Sequence, residues 1–168
     1  NVSAGTSVFA MIVLEKSLSK VYPEIDMVTT PTGKPVAMVH CNNCTSDINA
    51  WAGMLKGFCD AAGLTVSMND IYTAVFKSAL EGEKDCGGVV NVALLSGEPV
   101  VGLDEGRPMV VRMPDAKMSF ANFARSIVSG AMTSLKLGMD ILANENVQID
   151  SLLGHGGYFK TPGTAQNL

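Results

Sequence analysis

Apolar and polar residues follow two different spacings along this chain, and both spacings predict secondary structure. The uninterrupted apolar run at residues 8–14 predicts a buried strand. Residues 23–30 and 35–40, on either side of a Pro-Thr-Gly turn, predict two more strands, and these three strands together predict a meander. Later runs at residues 89–95 and 147–153 have the same strand-like character.

Three longer stretches have the apolar spacing of amphipathic helices. Thr45 or Ser46 can cap the first, Asn69 can cap the second and Ser119 can cap the third and longest. The expected inner faces are Trp51, Met54, Leu55, Phe58 and Ala62 in the first, Ile71, Val75, Phe76, Ala79 and Leu80 in the second, and in the third a wide stripe from Phe120 through Ile127 and Leu135 to Leu142. Strands followed by helices predict an α/β domain.

The composition predicts one domain with an unusually apolar surface. The chain has 168 residues, of which 47% are hydrophobic and 17% charged, and its mean hydropathy is +0.25. This fits a lobe of a larger protein in which a partner covers one face. The chain also starts at Asn1 rather than at methionine, so we expect a fragment.

Charge and hydropathy disfavour two classes of partner. The net charge is −4 and the 12 basic residues are scattered, whereas nucleic-acid binding needs a basic patch or stripe. No apolar run approaches the roughly 20 residues that a membrane-spanning helix needs. We therefore expect no nucleic-acid partner and no membrane segment.

Two small-residue turns have the character of phosphate-binding loops. Gly5, Thr6 and Ser7 run directly into the first apolar strand, and Gly156 and Gly157 follow the last strand-like run. Glycine lets the backbone approach a ligand closely, and the exposed N–H groups of such turns bind anions. On sequence alone, each turn also fits an ordinary hairpin or loop.

The end of the chain has the spacing Gly-Gly-x-x-Lys-Thr-Pro-x-x-x-Gln, which resembles the adenosine motif of the FGGY family of carbohydrate kinases. The usual family form is Gly-Gly-Gly-Ala-Lys-Ser-Pro, followed by Gln. Tyr158 replaces the third glycine and Phe159 replaces the alanine, so we expect a reshaped backbone contact here. The matching positions are Gly156, Gly157, Lys160, Thr161, Pro162 and Gln166.

Three further segments resemble the same family and follow in family order. Gly5-Thr6-Ser7 matches its second phosphate motif, and Leu95-Ser96-Gly97-Glu98 resembles its Leu-x-Gly-Glu-Arg segment, with Pro99 in place of arginine. The Asn-rich turn and helix at residues 42–51 is a looser match. Together the four matches extend over nearly the whole chain.

The resemblance implies that residues 1–168 are the C-terminal, nucleotide-binding lobe of an ATP-dependent sugar kinase with a ribonuclease H-like fold of the actin and sugar kinase superfamily. It implies a cytoplasmic enzyme that uses ATP with Mg²⁺, and it is compatible with a homodimer. Most sugar contacts and the catalytic aspartate would precede Asn1, so this chain carries no expected catalytic residue. The expected nucleotide-binding residues are Gly5, Thr6, Ser7, Gly156, Gly157, Tyr158, Lys160 and Thr161.

Several alternatives remain open from the residues themselves. A non-kinase, chaperone-like ATPase module or a partner-binding structural domain would also carry glycine turns. Cys41 and Cys44 have the spacing of a dithiol or half a zinc site, but Cys59 and Cys86 form no second pair, so we expect four reduced thiols without a metal. The sugar is not determined, and both ketoses such as xylulose and polyols fit the family.

Overall fold

A computed structural model describes residues 1–164, which form a mixed α/β domain. The strands are β1 (Val2–Ala4), β2 (Val8–Val13), β3 (Asp26–Thr29), β4 (Pro35–Cys41), β5 (Val89–Val92), β6 (Met109–Arg112) and β7 (Gly154–His155). The helices are α1 (Thr45–Ala61), α2 (Met68–Glu81) and α3 (Phe120–Asn144). Short 3₁₀ turns lie at Cys86–Gly88, Pro99–Val101 and Gly157–Phe159.

The main sheet has five strands in the order β3-β4-β2-β1-β7, and a separate ribbon pairs β5 with β6. All neighbours in the main sheet are antiparallel except β1 and β7, which are parallel. The predicted meander is wrong, because β4 lies between β2 and β3 and pairs with both. Six register pairs join β2 to β4, and β4, which is more apolar than β3, lies inside the sheet while β3 forms its edge.

The last predicted strand is misplaced. Residues 147–153 form no strand, and only Gly154 and His155 pair with β1. Because β1 is three residues long, it offers few backbone groups for pairing, and β7 is therefore short. Ile149, Leu152 and Leu153 are accordingly exposed despite their apolar side chains.

All three predicted helices form, but their first residues and inner faces differ in part from the expectation. Ser119 caps α3, as predicted, by accepting a hydrogen bond from the backbone of Asn122. Helix α2 is capped by Ser67 rather than Asn69, since Ser67 and Asp70 form a reciprocal capping box. Cys44 is the residue before α1 and makes no side-chain cap there.

The inner face of α1 is rotated from the predicted stripe. Ile48 and Ala52 are fully buried, whereas Met54 and Phe58 are exposed. Helix α1 packs its buried face against α2 and α3. Of the α1 residues that face the β5–β6 ribbon, Asp47 is buried, Trp51 is half-buried and Met54 is exposed. His40 is exposed on β4.

Close packing between α3 and the sheet depends on small residues. A Cβ added to Gly138 would lie 2.2 Å from a methyl carbon of Val39, and one added to Gly130 would lie 2.6 Å from the Asn91 carbonyl oxygen. Such distances are too short for any side chain, so these glycines let α3 lie directly on β4 and β5. Among residues 1–164, no helix combines the length and apolar character needed to cross a membrane.

Candidate functional site

The two predicted phosphate-type turns follow β1 and β7 and lie at the same end of these two strands. Parallel pairing aligns Val2 with Gly154 and Ser3 with His155, so the segments that follow β1 and β7 both turn at the same end of the pair. Gly156 has φ +109°, and a Cβ there would lie 2.1 Å from the carbonyl oxygen of Ala4. A bare Cα at Gly156 therefore brings the turns, separated by most of the sequence, against each other.

The Gly5-Thr6-Ser7 turn is fixed from both sides by hydrogen bonds. The Gly5 N–H donates to the Ser7 carbonyl at 2.9 Å, and the Gly5 carbonyl accepts from the Thr45 N–H and hydroxyl at 3.1 and 2.7 Å. Gly5 is thus occupied with holding the turn. Among the described residues, the Thr6 and Ser7 amides donate no hydrogen bond, and they are the groups available to an anion.

Beside these turns lies a cleft of about 430 Å³. One wall is the first part of α1, the second is the face of α2 that includes Tyr72 and Phe76, and the third is the segment after β7. Its size is at the lower end of the range for small-molecule sites. The lining residues are Thr45, Ile48, Asn49, Asn69, Tyr72, Thr73, Phe76, Lys77, Gly157, Tyr158, Lys160, Thr161 and Pro162.

Gly157, Lys160 and Thr161, which the sequence selected, all line this cleft. Gly157 is exposed, and a Cβ added there would meet no atom within 4 Å, so the space in front of it is open. Lys160 is exposed, and Thr161 is half-buried. Gln166, the last position of the sequence motif, lies outside the described residues.

Tyr158 lines the cleft through its ring, while its hydroxyl is used inside the protein. The side chain is 3% exposed, and the hydroxyl donates to the Val128 carbonyl at 2.9 Å. The ring packs edge-on against Phe76 and Phe159, and burial raises the pKa of the phenol. Its contribution to a ligand site is therefore limited to the ring and the backbone.

Two polar residues on the cleft walls were not selected from the sequence. The Tyr72 hydroxyl on α2 donates to the Asn49 Oδ1 on α1 at 2.9 Å. This bond uses the Asn49 amide oxygen and joins the two helices that form the cleft walls. No short-range signal identifies the pair, because hydrophobic periodicity marks only the inner faces of the two helices.

The two remaining motif segments meet in the structure. Asn43 accepts hydrogen bonds on Oδ1 from the Ser96 N–H at 2.9 Å and from its hydroxyl at 3.1 Å. Asn42 Nδ2 donates to the Gly97 carbonyl at 2.9 Å. The Leu-Ser-Gly-Glu segment therefore holds the turn from which α1 starts.

The cysteines and His155 show no sign of a second site in the described part of the chain. All four cysteines are free, and burial raises the pKa of both Cys41 and Cys44 to about 12, which keeps them as thiols. His155 is exposed at the short strand β7. Within residues 1–164, no group of three His, Cys, Asp or Glu side chains lies close enough to hold a metal ion.

Comparison with protein families gives a match over the complete chain. The C-terminal domain of the FGGY family of carbohydrate kinases matches residues 1–168. No curated protein sequence matches the chain.

Solved structures of sugar kinases share the fold. The xylulose kinase from Bifidobacterium adolescentis superposes with a TM-score of 0.73 at 20% identity, covering 97% of this chain and 30% of that one. The gluconate kinase from Lactobacillus acidophilus gives 0.72 at 16% identity, covering 98% and 32%. The glycerol kinase from Plasmodium falciparum, solved with ADP, gives 0.58 at 15% identity, covering 88% and 28%. The chain thus spans less than a third of the length of these kinases.

Proposed function

This chain belongs to the FGGY family of carbohydrate kinases, and from that premise we propose that it is the ATP-binding lobe of a two-lobed sugar kinase. The parent enzyme transfers the γ-phosphoryl group of ATP to a sugar hydroxyl. In this proposal the lobe has the ribonuclease H-like fold, and residues 1–168 correspond to one lobe of the longer protein. The solved kinases that share the fold are about three times as long, which supports that division.

One observation carries the proposal: the Gly5-Thr6-Ser7 and Gly156-Gly157 turns follow paired strands and pack against each other, and a cleft opens next to them. Gly157 lines this cleft, whereas Gly5, Thr6, Ser7 and Gly156 do not; the first turn is joined to the cleft wall through the bonds from Thr45 to Gly5. A nucleotide needs an apolar-walled slot for the base and ribose and an array of donors for its phosphates. The cleft between α1 and α2 supplies the slot, with Ile48 and Phe76 on its walls. The turns at its end supply backbone donors.

Each predicted residue receives a role that its position allows. The Thr6 and Ser7 amides and the exposed Thr6 hydroxyl bind the terminal phosphates, while Gly5 holds the shape of their turn. Gly157 lets the nucleotide lie against the backbone, because nothing occupies the space in front of its Cα.

The other residues of the adenosine motif contribute by contact and charge. The Tyr158 ring forms the floor of the cleft, and its position is fixed by the bond to Val128. Gly156 acts indirectly, by packing against Ala4. The exposed Lys160 ammonium and the Thr161 hydroxyl lie at the cleft wall, where they are available to ligand oxygens.

The catalytic base is assigned to the other lobe. Asp47 is buried and accepts from Asn91 at 2.7 Å, Glu98 is fully buried, and Asp104 is exposed on a loop. None of these carboxylates lies among the residues lining the cleft. Phosphoryl transfer depends mostly on positioning and charge stabilisation, so a lobe that binds only the nucleotide is a coherent unit.

Mg²⁺ is the usual companion of ATP in this chemistry, where it neutralises the charge of the phosphates. Residues 1–164 contain no cluster of three potential metal ligands, so none of these side chains is assigned to the ion.

The substrate class follows from the solved relatives rather than from this lobe. Those relatives are kinases of xylulose, gluconate and glycerol. We propose a ketose such as xylulose, or a polyol, bound mainly by the other lobe of a cytoplasmic enzyme. A homodimer is compatible with this assignment.

Calorimetry with ADP and the 168-residue chain tests the proposal, using Gly157→Val as the diagnostic variant. The new side chain enters open space, so the fold should persist, but it occupies the room that the nucleotide needs. A clash and lost contacts worth ~3 kcal/mol weaken binding on the order of a hundredfold. Gly57→Val is the matched control, because Gly57 is equally unobstructed and lies on α1 away from the lining residues.

The outcome is read from two measurements. Thermal melting must show that both variants are folded, and ADP must bind the wild type and Gly57→Val alike. If a folded Gly157→Val chain bound ADP with the same affinity as the wild type, the assignment of the nucleotide to this cleft would be wrong.

A further inference from the structure

A fully buried carboxylate lies close to the phosphate-type turn without touching the cleft. Glu98 has 0% relative exposure, and its Oε2 accepts from the backbone N–H and the Nδ2 of Asn43, both at 3.1 Å. Its Oε1 has no hydrogen-bond partner among the described residues. A buried oxygen without a hydrogen-bond partner destabilises the fold, so the burial of Glu98 calls for a compensating role. Its two bonds to Asn43 supply one.

Backbone hydrogen bonds hold the loop that carries Glu98 in place. The Glu98 N–H donates to the Leu103 carbonyl at 2.7 Å, and the Glu98 carbonyl accepts from Val101 and Leu103 at 3.1 and 3.2 Å. These bonds close a tight loop before the side chain turns inward. The side chain that binds Asn43 therefore extends from a backbone position held by three hydrogen bonds.

Asn43 passes this constraint to the start of α1. Its Nδ2 also donates to the Ser96 carbonyl at 3.1 Å, so the whole amide is held by the Leu-Ser-Gly-Glu segment. Cys44 provides no side-chain cap, and Thr45 is the first residue of α1. The hydrogen bonds from the Leu-Ser-Gly-Glu segment to Asn43 therefore orient the start of α1.

Thr45 completes the path to the turn. Its N–H and its hydroxyl both donate to the Gly5 carbonyl, at 3.1 and 2.7 Å. This fork fixes the direction of the Gly5 peptide, and with it the direction of the Thr6 and Ser7 amides that follow. From Glu98 to Ser7, every step is a hydrogen bond or a covalent neighbour.

We propose that Glu98, Asn43 and Thr45 are positioning residues for the phosphates of the nucleotide. The inference rests on the proposed function, since it assigns the Thr6 and Ser7 amides to phosphate oxygens. Preorganised donors bind an anion without paying for reorganisation, so loosening the path weakens phosphate binding specifically. The base and ribose, which contact the α1–α2 cleft, should be affected far less.

The experiment compares ADP with adenosine on the 168-residue chain by calorimetry. Thr45→Val keeps the side-chain volume and removes the hydroxyl donor to Gly5. We expect ADP binding to weaken about tenfold, the equivalent of one hydrogen bond, while adenosine binding changes by less than about twofold. Thr45→Ser restores the hydroxyl and should recover most of the ADP affinity.

Asn43→Ala tests the distant end of the path, since it removes the side-chain bonds to Ser96 and Glu98 and leaves only the bond from the Asn43 backbone N–H to Glu98. It should reproduce the selective loss of ADP affinity when measured well below its melting temperature. If this variant does not fold, the Thr45 pair alone decides the result.

The contradicting outcomes are distinct. Equal losses for ADP and adenosine in Thr45→Val, or no loss for either, overturn the positioning role alone. A wild-type chain that binds neither ligand overturns the proposed function and this inference with it. A selective loss of ADP binding that Thr45→Ser reverses supports both.

Discussion

Gly156 lies so close to Ala4 that a Cβ on Gly156 would be 2.1 Å from the Ala4 carbonyl oxygen. Gly156 also has φ +109°, a backbone conformation that residues with a side chain rarely adopt. Its neighbour Gly157 has open space around its Cα. The two glycines of one motif therefore have different tasks, the first in joining the turns and the second in leaving room for a ligand.

The first prediction concerns this difference. Gly156→Ala should lower the free energy of unfolding by about 2–4 kcal/mol, since both the clash and the backbone strain act on the folded state. Gly157→Ala should change it by less than about 1 kcal/mol. Urea denaturation of the two variants measures both values, and a Gly156→Ala chain as stable as wild type would contradict the packing described here.

The second prediction separates the two ends of Tyr158. Tyr158→Phe removes one buried hydrogen bond to the Val128 carbonyl, which still accepts its intrahelical bond within α3, so stability should fall by about 0.5–1.5 kcal/mol. ADP affinity should remain within about twofold of wild type, because only the hydroxyl is lost and the ring still lines the cleft. A large loss of affinity at unchanged stability would instead show that the hydroxyl acts on the nucleotide.

Local patterns predicted the elements whose determinants are close in sequence. The Ser119 cap and the apolar stripe that follows it identified α3, and the apolar run at residues 8–14 identified β2. The family-like turns at Gly5 and Gly157 were selected by residue type and order. Each of these signals is contained within a few neighbouring residues, which explains why it could be read directly.

Contacts between distant segments could not be read in this way. Glu98 and Asn43 are 55 residues apart, and Tyr72 and Asn49 are 23 apart, so neither pair leaves a periodic signal. Strand β1 is three residues long and β7 is two, and both depend on pairing with distant segments: β1 pairs with β2 and β7, and β7 pairs with β1. Exposure of Met54, which lies opposite the β5–β6 ribbon, likewise depends on where that ribbon lies, and the pattern of α1 alone does not contain this information.

The third prediction concerns acid stability and a surface contact far from the cleft. Glu145, the residue that follows α3, accepts hydrogen bonds from the Ser19 N–H, the Ser19 hydroxyl and the Tyr22 hydroxyl. Hydrogen bonding from Ser19 and then Tyr22 lowers the pKa of Glu145 to about 2. These bonds offset the unfavourable position of an acidic group at the negative end of a helix.

The direction of the pH effect follows from that lowered pKa. The unfolded chain binds this proton at a higher pH than the folded chain, so the contribution of Glu145 is complete above the unfolded value of about 4.5. It is lost as the pH falls from there towards 2. Urea denaturation should show wild type more stable than Glu145→Gln at pH 6, with a smaller difference at pH 3. A difference independent of pH would exclude ionisation as its source.

The last prediction tests the division of labour between the two proposed lobes. The 168-residue chain should bind ADP but should not phosphorylate xylulose, gluconate or glycerol, because the cleft contains no carboxylate to serve as a base. Losing general-base assistance alone costs about 10²-fold to 10⁴-fold in rate, and the sugar pocket is missing as well. A coupled assay for sugar-dependent ADP release measures this, with a two-lobed kinase carrying this domain as the positive control. Release at a rate similar to that control, abolished by Gly157→Val, would place the complete active site within these 168 residues and overturn the two-lobe assignment.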